Sequence, residues 1–364
     1  MHVSLPEIVT DLNKIRQNTE AVLALAQPLG IEVVGVTKVF LGEPQIAEAM
    51  LQGGLRMLAD SRLENLEKLR QAFPHTPLML LRLPGISQVE ATVRLADVSL
   101  NSELSILEAL SQEASCQGKT HRVIIMVDLG DLREGVWPEN LSEVIKDALA
   151  LPGIRIDGLG VNLACYGGVI PSEENLGQLV KLAVGLEEEF EMAFPVLSGG
   201  NSASLPLLMN KTLPVKVNQL RIGEGIALGR ETVKRELLPG ATGDTFILRA
   251  EILEAHEKPS VPIGEIGQDA FGEVPEFKDE GWQRRGILAL GRQDVPPDGL
   301  LLRDPRLKII GASSDHLIID LSQAPELKVG SVVEFNLTYG GLLGAMTSPY
   351  VEKRYIKLYY NEGA

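Results

Sequence analysis

The sequence predicts a (β/α)8 barrel followed by a smaller β-rich domain. Short apolar runs rich in β-branched residues alternate with stretches of helical periodicity, and this alternation occurs eight times before about residue 237. A polar residue stands at the end of each apolar run. Beyond residue 237 the helical periodicity disappears, and β-type runs lie between Pro, Gly and Asp turns. We therefore assign residues 7–237 to the barrel and residues 238–364 to the β domain, which residues 1–6 can also join.

The barrel is predicted to begin with a helix and a strand. The helix covers residues 7–27, since apolar residues such as Ile8, Leu12 and Ile15 recur at three-to-four spacing. Residues 31–36 follow as a strand, because this run is β-branched and too short for a helix. The eight predicted strands end at these polar residues: Lys38, Asp60, Arg82, Asn101, Asp128, Asn162, Ser198 and Arg221. In a barrel of parallel strands these ends share one face, where active sites lie.

A doubly wound open sheet is the alternative for alternating strands and helices. No Gly-x-Gly-x-x-Gly pattern follows the first strand, which disfavours a dinucleotide-binding sheet. In the second domain, strands are predicted at residues 246–253, 286–290, 307–310, 317–321 and 332–337.

Composition narrows the classes of function. The 364 residues are 45% hydrophobic and 23% charged, and the net charge of −15 argues against nucleic-acid binding. No run of 18 apolar residues predicts a membrane span. The cysteines Cys116 and Cys165 form no C-x-x-C pair, so we expect neither a metal site nor a disulfide framework. The first residues lack the features of a signal peptide, and we expect a cytoplasmic protein.

Lys38 admits two interpretations. A lysine at a strand end can simply extend into solvent, or it can form a Schiff base when it is partly desolvated at the mouth of a barrel. Four stretches after strands five to eight bear on this choice: Gly130–Gly135, Asn162–Gly168, Ser198–Ser204 and Arg221–Gly229. The last two offer small residues and backbone N–H groups that suit a phosphoester, although ordinary strand-to-helix turns also favour Gly, Asn and Ser.

Together, Lys38 and these four stretches resemble the alanine racemase type of pyridoxal-phosphate enzyme (fold type III), and within it the ornithine racemase branch. The resemblance covers nearly the whole chain. It implies an amino-acid racemase that depends on pyridoxal 5′-phosphate, acts on a small-molecule amino acid and forms a head-to-tail homodimer.

The resemblance also implies roles for individual residues. Lys38 holds the cofactor and exchanges the α-proton on one face of the substrate. Arg221 faces the pyridine nitrogen, and the alternative for this residue is a salt bridge with Glu224 or Asp128. The further residues implied in cofactor binding are Arg133, Asn162, Asn201, Ser202, Gly223 and Glu224. The residues implied in substrate contact are Arg133, Ser314, Asp315 and His316.

The sequence departs from the family at the second proton-transfer group. Alanine racemases use a tyrosine in a Gly-Tyr-Ala-Asp-Gly motif, whereas Arg292 stands here, and arginine is a very poor base. A second tyrosine, which touches the phosphate, is replaced by Gly42. We rank Cys165 and Tyr166 first as catalytic candidates, with a buried, inert cysteine as the alternative. Other candidates are Asp294, Asp315, His316 and Tyr339.

The resemblance suggests ornithine or a similar basic amino acid as substrate. Its distal ammonium can meet Asp131, Glu134 or Glu224. Because the family tyrosine is missing, decarboxylation or β-elimination of a D-amino acid stays an alternative. A non-catalytic carrier of pyridoxal phosphate is the third hypothesis, which the second domain disfavours because such carriers end after the barrel.

Overall fold

The structure is a computed structural model that describes residues 5–356. The chain divides into two units. One runs from Leu12 to Gly243 and contains the barrel. The other contains the described residues before Leu12 and those from Asp244 onward, so the division falls after Gly243 rather than at the expected residue 237.

The first element is a strand, β1 (Glu7–Asp11), and the expectation of a helix from residue 7 is wrong at this end. β1 pairs antiparallel with Phe246–Pro259 and parallel with Glu352–Ile356. The spacing of Ile8, Leu12 and Ile15 fits a helix, but pairing on both sides of the strand outweighs this local pattern. The helix α1 begins only at Leu12.

The predicted eight-stranded parallel barrel is confirmed. Its strands are β2 (Glu32–Val36), β3 (Leu58–Asp60), β4 (Leu78–Leu80), β5 (Val98–Asn101), β6 (His121–Val127), β7 (Ile154–Val161), β8 (Val196–Ser198) and β9 (Gln219–Ile222). They pair in sequence order, and β9 closes the barrel against β2, where Val34 lies opposite Arg221. The carboxyl ends of the strands therefore meet at one face.

The barrel interior is filled by a cluster of buried apolar side chains that come from the strands and from Met57, the residue before β3. Its members are Val34, Val36, Met57, Ala59, Met79, Val98, Leu100, Ile124 and Met126. A second cluster lies between the strands and the helices around them. The interior is therefore a packed core, and ligands have access only at its mouth.

The helices of the barrel unit are α1 (Leu12–Ala26), α2 (Pro44–Gln52), α3 (Leu63–Ala72), α4 (Val89–Leu95), α5 (Leu104–Cys116), α6 (Leu141–Leu149), α7 (Glu173–Glu189), α8 (Leu205–Asn210) and α9 (Glu224–Ala227). Several begin where the sequence supplies a cap. Pro44 opens α2, and Ser172 and Asn175 form a reciprocal capping pair at the start of α7. Among residues 5–356, no helix has the length and apolar character needed to cross a membrane.

The second unit is built around an antiparallel sheet. After β1 its strands are β10 (Phe246–Pro259), β11 (Trp282–Leu288), β12 (Leu300–Leu302), β13 (Lys308–Ala312), β14 (Leu317–Asp320), β15 (Val332–Leu337) and β16 (Glu352–Ile356). The order is β12-β15-β10-β11-β14-β13, and β1 and β16 extend it beside β10. A helix, α10 (Tyr339–Thr347), follows β15 and was not predicted, since its glycines obscure any helical signal.

His121 makes the barrel sensitive to acid. It is buried at the start of β6, and its Nε2 lies 2.8 Å from Ser99 Oγ. Burial lowers its pKa to about 4, although the nearby Asp97 acts in the opposite direction. A folded-state pKa below the unfolded value means that the folded barrel prefers neutral His121. The contribution of His121 to the free energy of unfolding is therefore complete above about pH 6.5 and is lost as the pH falls towards 4.

We therefore expect His121→Gln to reduce the pH dependence of stability. In the wild type, this residue should lower the free energy of unfolding by about 2 kcal/mol when the pH is reduced from 7 to 5. Urea unfolding at the two pH values measures this, and the variant should show a correspondingly smaller difference. The exposed His75→Gln is the control. Equal pH dependence in the wild type and in His121→Gln would contradict the prediction.

Candidate active site

Lys38 lies directly after β2, at the mouth of the barrel. Its side chain is exposed, whereas the adjacent Thr37 is fully buried. Thr37 Oγ1 donates a hydrogen bond of 2.6 Å to Asp60 Oδ2, at the end of β3. Asp60 also accepts a hydrogen bond from Asn65 Nδ2 at 2.9 Å, and its burial raises its pKa. These contacts fix the ends of the first two barrel strands together and leave the lysine as the solvent-facing group.

Arg221 on β9 is a buried cation. It donates from Nη1 to Ser198 Oγ and from Nη2 to the carbonyl oxygen of Val161, at 2.8 Å. Burial lowers its pKa to about 10, and the negative charge of Glu134 offsets this effect only in part. Glu134 therefore lies close enough to act on the guanidinium.

Within the described residues Arg221 forms no ion pair. Glu224 pairs with other arginines, and Asp128 accepts hydrogen bonds from the backbone N–H groups of Gly130 and Leu132, so the alternative of a salt bridge to either residue is wrong. A buried charge without a counter-ion is costly. The described residues thus leave Arg221 as a buried cation whose hydrogen bonds go to neutral groups.

Cys165 is exposed, so the alternative of a buried, inert cysteine is wrong. Its Sγ accepts hydrogen bonds from Asn162 Nδ2 and Asn201 Nδ2, each at 3.4 Å. Asn201 Nδ2 also donates to Asn162 Oδ1 at 2.8 Å. Three sequence-predicted residues from the ends of β7 and β8 therefore form one polar cluster. Tyr166, by contrast, is 76% exposed.

Asp131 holds the loop that carries this cluster. Its buried carboxylate accepts hydrogen bonds from the backbone N–H groups of Cys165 (3.2 Å), Tyr166 (2.9 Å) and Val169 (3.1 Å). Burial raises its pKa, but these hydrogen bonds outweigh burial, and the net shift is downward. Asp131 thus fixes the Cys165 loop, and its carboxylate is already occupied by protein groups.

Asp131→Ala should reduce the free energy of unfolding by at least about 2 kcal/mol, since each hydrogen bond to a charged group contributes about 1.5–3 kcal/mol. Urea unfolding at pH 7 provides the measurement, with the exposed Glu139→Ala as the control. The difference from wild type should shrink below about pH 4, where protonation begins to remove the charge of Asp131. An unchanged unfolding midpoint at pH 7 would contradict this role.

The two other acidic candidates are also paired. Glu134 accepts from both Nε and Nη2 of Arg133, the latter at 2.7 Å, and from Asn162 Nδ2 at 3.4 Å. Glu224 Oε1 accepts from Arg230 Nε at 2.9 Å and Arg235 Nη1 at 2.6 Å. Within the barrel unit, each of the acidic residues predicted to meet a substrate ammonium therefore has protein partners.

The turns after β8 and β9 are joined by hydrogen bonds. Gly200 adopts φ +104°, which favours glycine, and its carbonyl oxygen accepts a hydrogen bond from Arg221 N at 3.0 Å. Ser202 Oγ accepts from Gly225 N at 3.1 Å. A Cβ added to Gly223 would lie 3.3 Å from Val36 Cβ, so this turn packs closely against β2. The two turns therefore lie together at the place where barrels commonly bind phosphate.

In the second unit, two predicted stretches lie side by side. The backbone N–H groups of Arg292 and Gln293 donate to the carbonyl oxygens of Ser313 and Ser314, at 3.0 and 2.9 Å. The Arg292 guanidinium carbon lies 4.5 Å from the centre of the Phe271 ring. Hydrogen bonds therefore join Arg292 and Gln293, where the family tyrosine is missing, to Ser313 and Ser314, which adjoin the predicted substrate contacts.

The remaining candidates of the second unit differ in exposure. Asp315 is exposed, and its Oδ1 lies 3.0 Å from His316 Nδ1. Asp294 is buried and accepts hydrogen bonds from Gly291 N and Ser348 Oγ, at 3.1 and 2.8 Å. Asp294 therefore serves the packing of its own unit.

Gly42, at the place of the phosphate-contacting tyrosine, cannot be replaced by a larger residue without movement. Its φ is +62°, and an added Cβ would lie 2.9 Å from Asn65 Cβ. The structure thus explains the absence of this tyrosine by a tight turn against α3.

Comparisons with known proteins agree with this geometry. The family model for the alanine racemase N-terminal domain matches residues 10–230. The ornithine racemase of Acetoanaerobium sticklandii is 45% identical over 350 residues, which are 96% of this chain and 99% of that protein. The lysine racemase of Thermotoga maritima is 39% identical over 350 residues, with coverage of 96% and 98%. The alanine racemase of Bartonella henselae, solved with covalently bound pyridoxal phosphate, superposes with a TM-score of 0.75 at 16% identity, with coverage of 97% and 100%.

Proposed function

The chain belongs to the alanine racemase family and is an amino-acid racemase; from this premise we propose that it interconverts the L and D forms of ornithine or lysine with pyridoxal 5′-phosphate as cofactor. The substrate proposal is supported by the names of the two relatives that align over almost the whole chain. The observation that carries the cofactor proposal is the buried Arg221, which has no carboxylate partner among residues 5–356, beside the glycine-rich turns after β8 and β9.

The residues at the barrel mouth fit this cofactor. Lys38 is exposed at the first strand end and would bind its aldehyde carbon. Arg221 would donate to the ring nitrogen, and because arginine does not give up its proton, that nitrogen would stay unprotonated. The turns at Gly200–Ser202 and Gly223–Glu224 would hold the phosphate through backbone N–H groups and Ser202. The Asn162–Asn201 pair would border the ring.

When bound, pyridoxal phosphate acidifies the Cα proton of the amino acid that it carries. The chain has to bind and orient that amino acid and to move a proton at Cα. Lys38 moves it on one face of Cα. Arg133 would contact the substrate carboxylate, and its pairing with Glu134 through Nε and Nη2 would hold the guanidinium in place.

For the distal ammonium we propose the Ser314–His316 stretch, because the Asp315 side chain is 58% exposed, whereas those of Glu134 and Glu224 are only 18% and 8% exposed and Asp131 is buried. We also propose that the protein forms a homodimer, as the resemblance implies, and that it works in the cytoplasm. Both cysteines are free, as is usual in a reducing compartment.

The test uses the purified protein with added pyridoxal phosphate, in deuterated water, with L-ornithine, L-lysine and L-alanine as separate substrates. We expect inversion of ornithine or lysine with one deuterium at Cα, no loss of total amino acid, and slower turnover of alanine. Chiral chromatography with mass detection measures all three quantities. Loss of total amino acid would favour decarboxylation or elimination, and cofactor binding without turnover would favour a carrier.

A further inference from the structure

We propose that the Cys165 thiol is the second proton-transfer group, which acts on the face of the substrate Cα opposite to Lys38. This inference rests on the proposed racemase function and names a catalytic residue that the resemblance does not supply.

Racemisation requires proton transfer on both faces of Cα, and one fixed side chain reaches only one face. Lys38 supplies one face. The position of the family tyrosine is occupied by Arg292, whose guanidinium lies over Phe271 and whose Nε donates to the carbonyl oxygen of Ala312 at 3.2 Å. An arginine in this setting cannot accept the proton. The reaction therefore needs a different group.

Cys165 and Lys38 follow well-separated strands of the barrel. Lys38 follows β2 and Cys165 follows β7, so two strands lie between them in one direction and four in the other. The two intervening strands on the shorter side, β8 and β9, carry Ser198 and Arg221. A ligand bound at Arg221 is therefore flanked by the lysine on one wall and by the thiol on another.

Two observations independent of the cysteine point to a ligand at this place. Arg221 is only 4% exposed and has no carboxylate partner among residues 5–356, which indicates an acceptor from outside the chain. The glycine-rich turns after β8 and β9, where barrels commonly bind phosphate, lie beside it, since Arg221 N donates to the carbonyl oxygen of Gly200. A short series of contacts joins the thiol to this position, because Arg221 Nη2 donates to the carbonyl oxygen of Val161 and the next residue, Asn162, donates to Cys165 Sγ.

The thiol is held in position. The amide groups of Asn162 and Asn201 each donate to Sγ at 3.4 Å, and the Asp131 carboxylate accepts from Cys165 N at 3.2 Å. Cys165 is nevertheless exposed, so a proton can reach it. The nearby carboxylates of Asp131 and Glu134 are less suitable, because each is bound by protein donors.

The proton balance is complete without a co-reactant. In one direction, the Cys165 thiolate takes the proton from Cα as the C–H bond breaks, and its sulfur becomes a thiol. The Lys38 ammonium then gives a proton to the opposite face of Cα and becomes a neutral amine. The reverse direction exchanges these roles, and proton exchange with solvent restores the starting state.

The first experiment compares Cys165→Ala with wild type in deuterated water, starting from each enantiomer of ornithine. We expect kcat for racemisation to fall by at least about 100-fold, since a positioned acid–base group contributes about 10²–10⁴-fold. One enantiomer should still gain deuterium without inversion through Lys38, and the other should gain none. The visible absorbance of the bound cofactor should persist. Cys116→Ala, which removes the other exposed cysteine, is the control and should behave as wild type. Tyr166→Phe tests the other catalytic candidate of the same loop.

A second readout does not depend on turnover. Iodoacetamide should modify both cysteines of the cofactor-free protein, and added pyridoxal phosphate with ornithine should slow modification of Cys165 several-fold but not that of Cys116. Peptide mass spectrometry separates the two sites, and this result still tests the placement if Cys165→Ala loses its cofactor.

Three results would overturn the proposal: wild-type racemisation by Cys165→Ala, loss of inversion in Tyr166→Phe instead, or equal labelling of Cys165 with and without ligands. A wild-type protein that racemises no amino acid would instead refute the proposed function, which the proposed role of Cys165 presupposes.

Discussion

Lys38→Ala is expected to abolish both the visible absorbance of bound pyridoxal phosphate and racemisation. The amine is the group that would form the covalent bond to the cofactor and move one of the two protons, so both properties depend on it. We expect kcat to fall by at least about 10³-fold, within the range for the loss of a positioned acid–base group. The barrel should stay folded, because Thr37 and Asp60, which fix this strand end, are unchanged.

Absorbance spectra and a chiral assay of the purified variants measure these effects. Lys146→Ala, an exposed lysine on α6, is the matched control and should keep full absorbance and activity. Circular dichroism at pH 7 should superimpose for all three proteins. A Lys38→Ala protein that keeps the cofactor absorbance would show that another lysine holds the cofactor.

Arg221→Met should lower kcat by about 100-fold or more, because removal of one preorganised donor from an active site costs about 10²–10³-fold. Stability should change much less than activity. The substitution removes two hydrogen bonds, but it also removes a buried charge whose desolvation lowers the pKa of Arg221 to about 10. The two effects on the free energy of unfolding oppose each other.

The measurement is kcat together with the urea midpoint of the cofactor-free protein. Arg94→Met is the control, since Arg94 is partly exposed on α4 and pairs only with the exposed Glu67 and Glu90. Wild-type turnover by Arg221→Met would exclude Arg221 from the active site. An unfolded variant would show instead that its two hydrogen bonds outweigh the cost of burying its charge.

The barrel and the residues at its strand ends could be predicted because their signals are local. Apolar runs and their polar ends identify strands without knowledge of tertiary contacts, and Lys38 and Arg221 were found in this way. The start of the chain was misjudged, because Ile8 fits a helical pattern with Leu12 and Ile15 while its strand partners lie beyond residue 243.

The partners of the charged residues were less accessible to sequence reasoning. Asp131 resembles a free acidic group in the sequence, but its hydrogen-bond donors lie 34 to 38 positions further along the chain. Glu224 likewise looks available until Arg230 and Arg235 turn back towards it. The sequence shows which residues are charged. Which partners these residues bind depends on the paths of loops, and only the folded structure defines those paths.

The pairing of β1 has a consequence for the order in which the protein is assembled during synthesis. Thr10 lies opposite Phe246 and Tyr355 in the sheet, so the ribosome must deliver the entire barrel before β1 can find its neighbours. Until then β1 is an unpaired strand segment attached to the amino end of a barrel that can already fold. We therefore expect the barrel to form first and the surrounding sheet to close last, with the nascent β1 exposed in the interval.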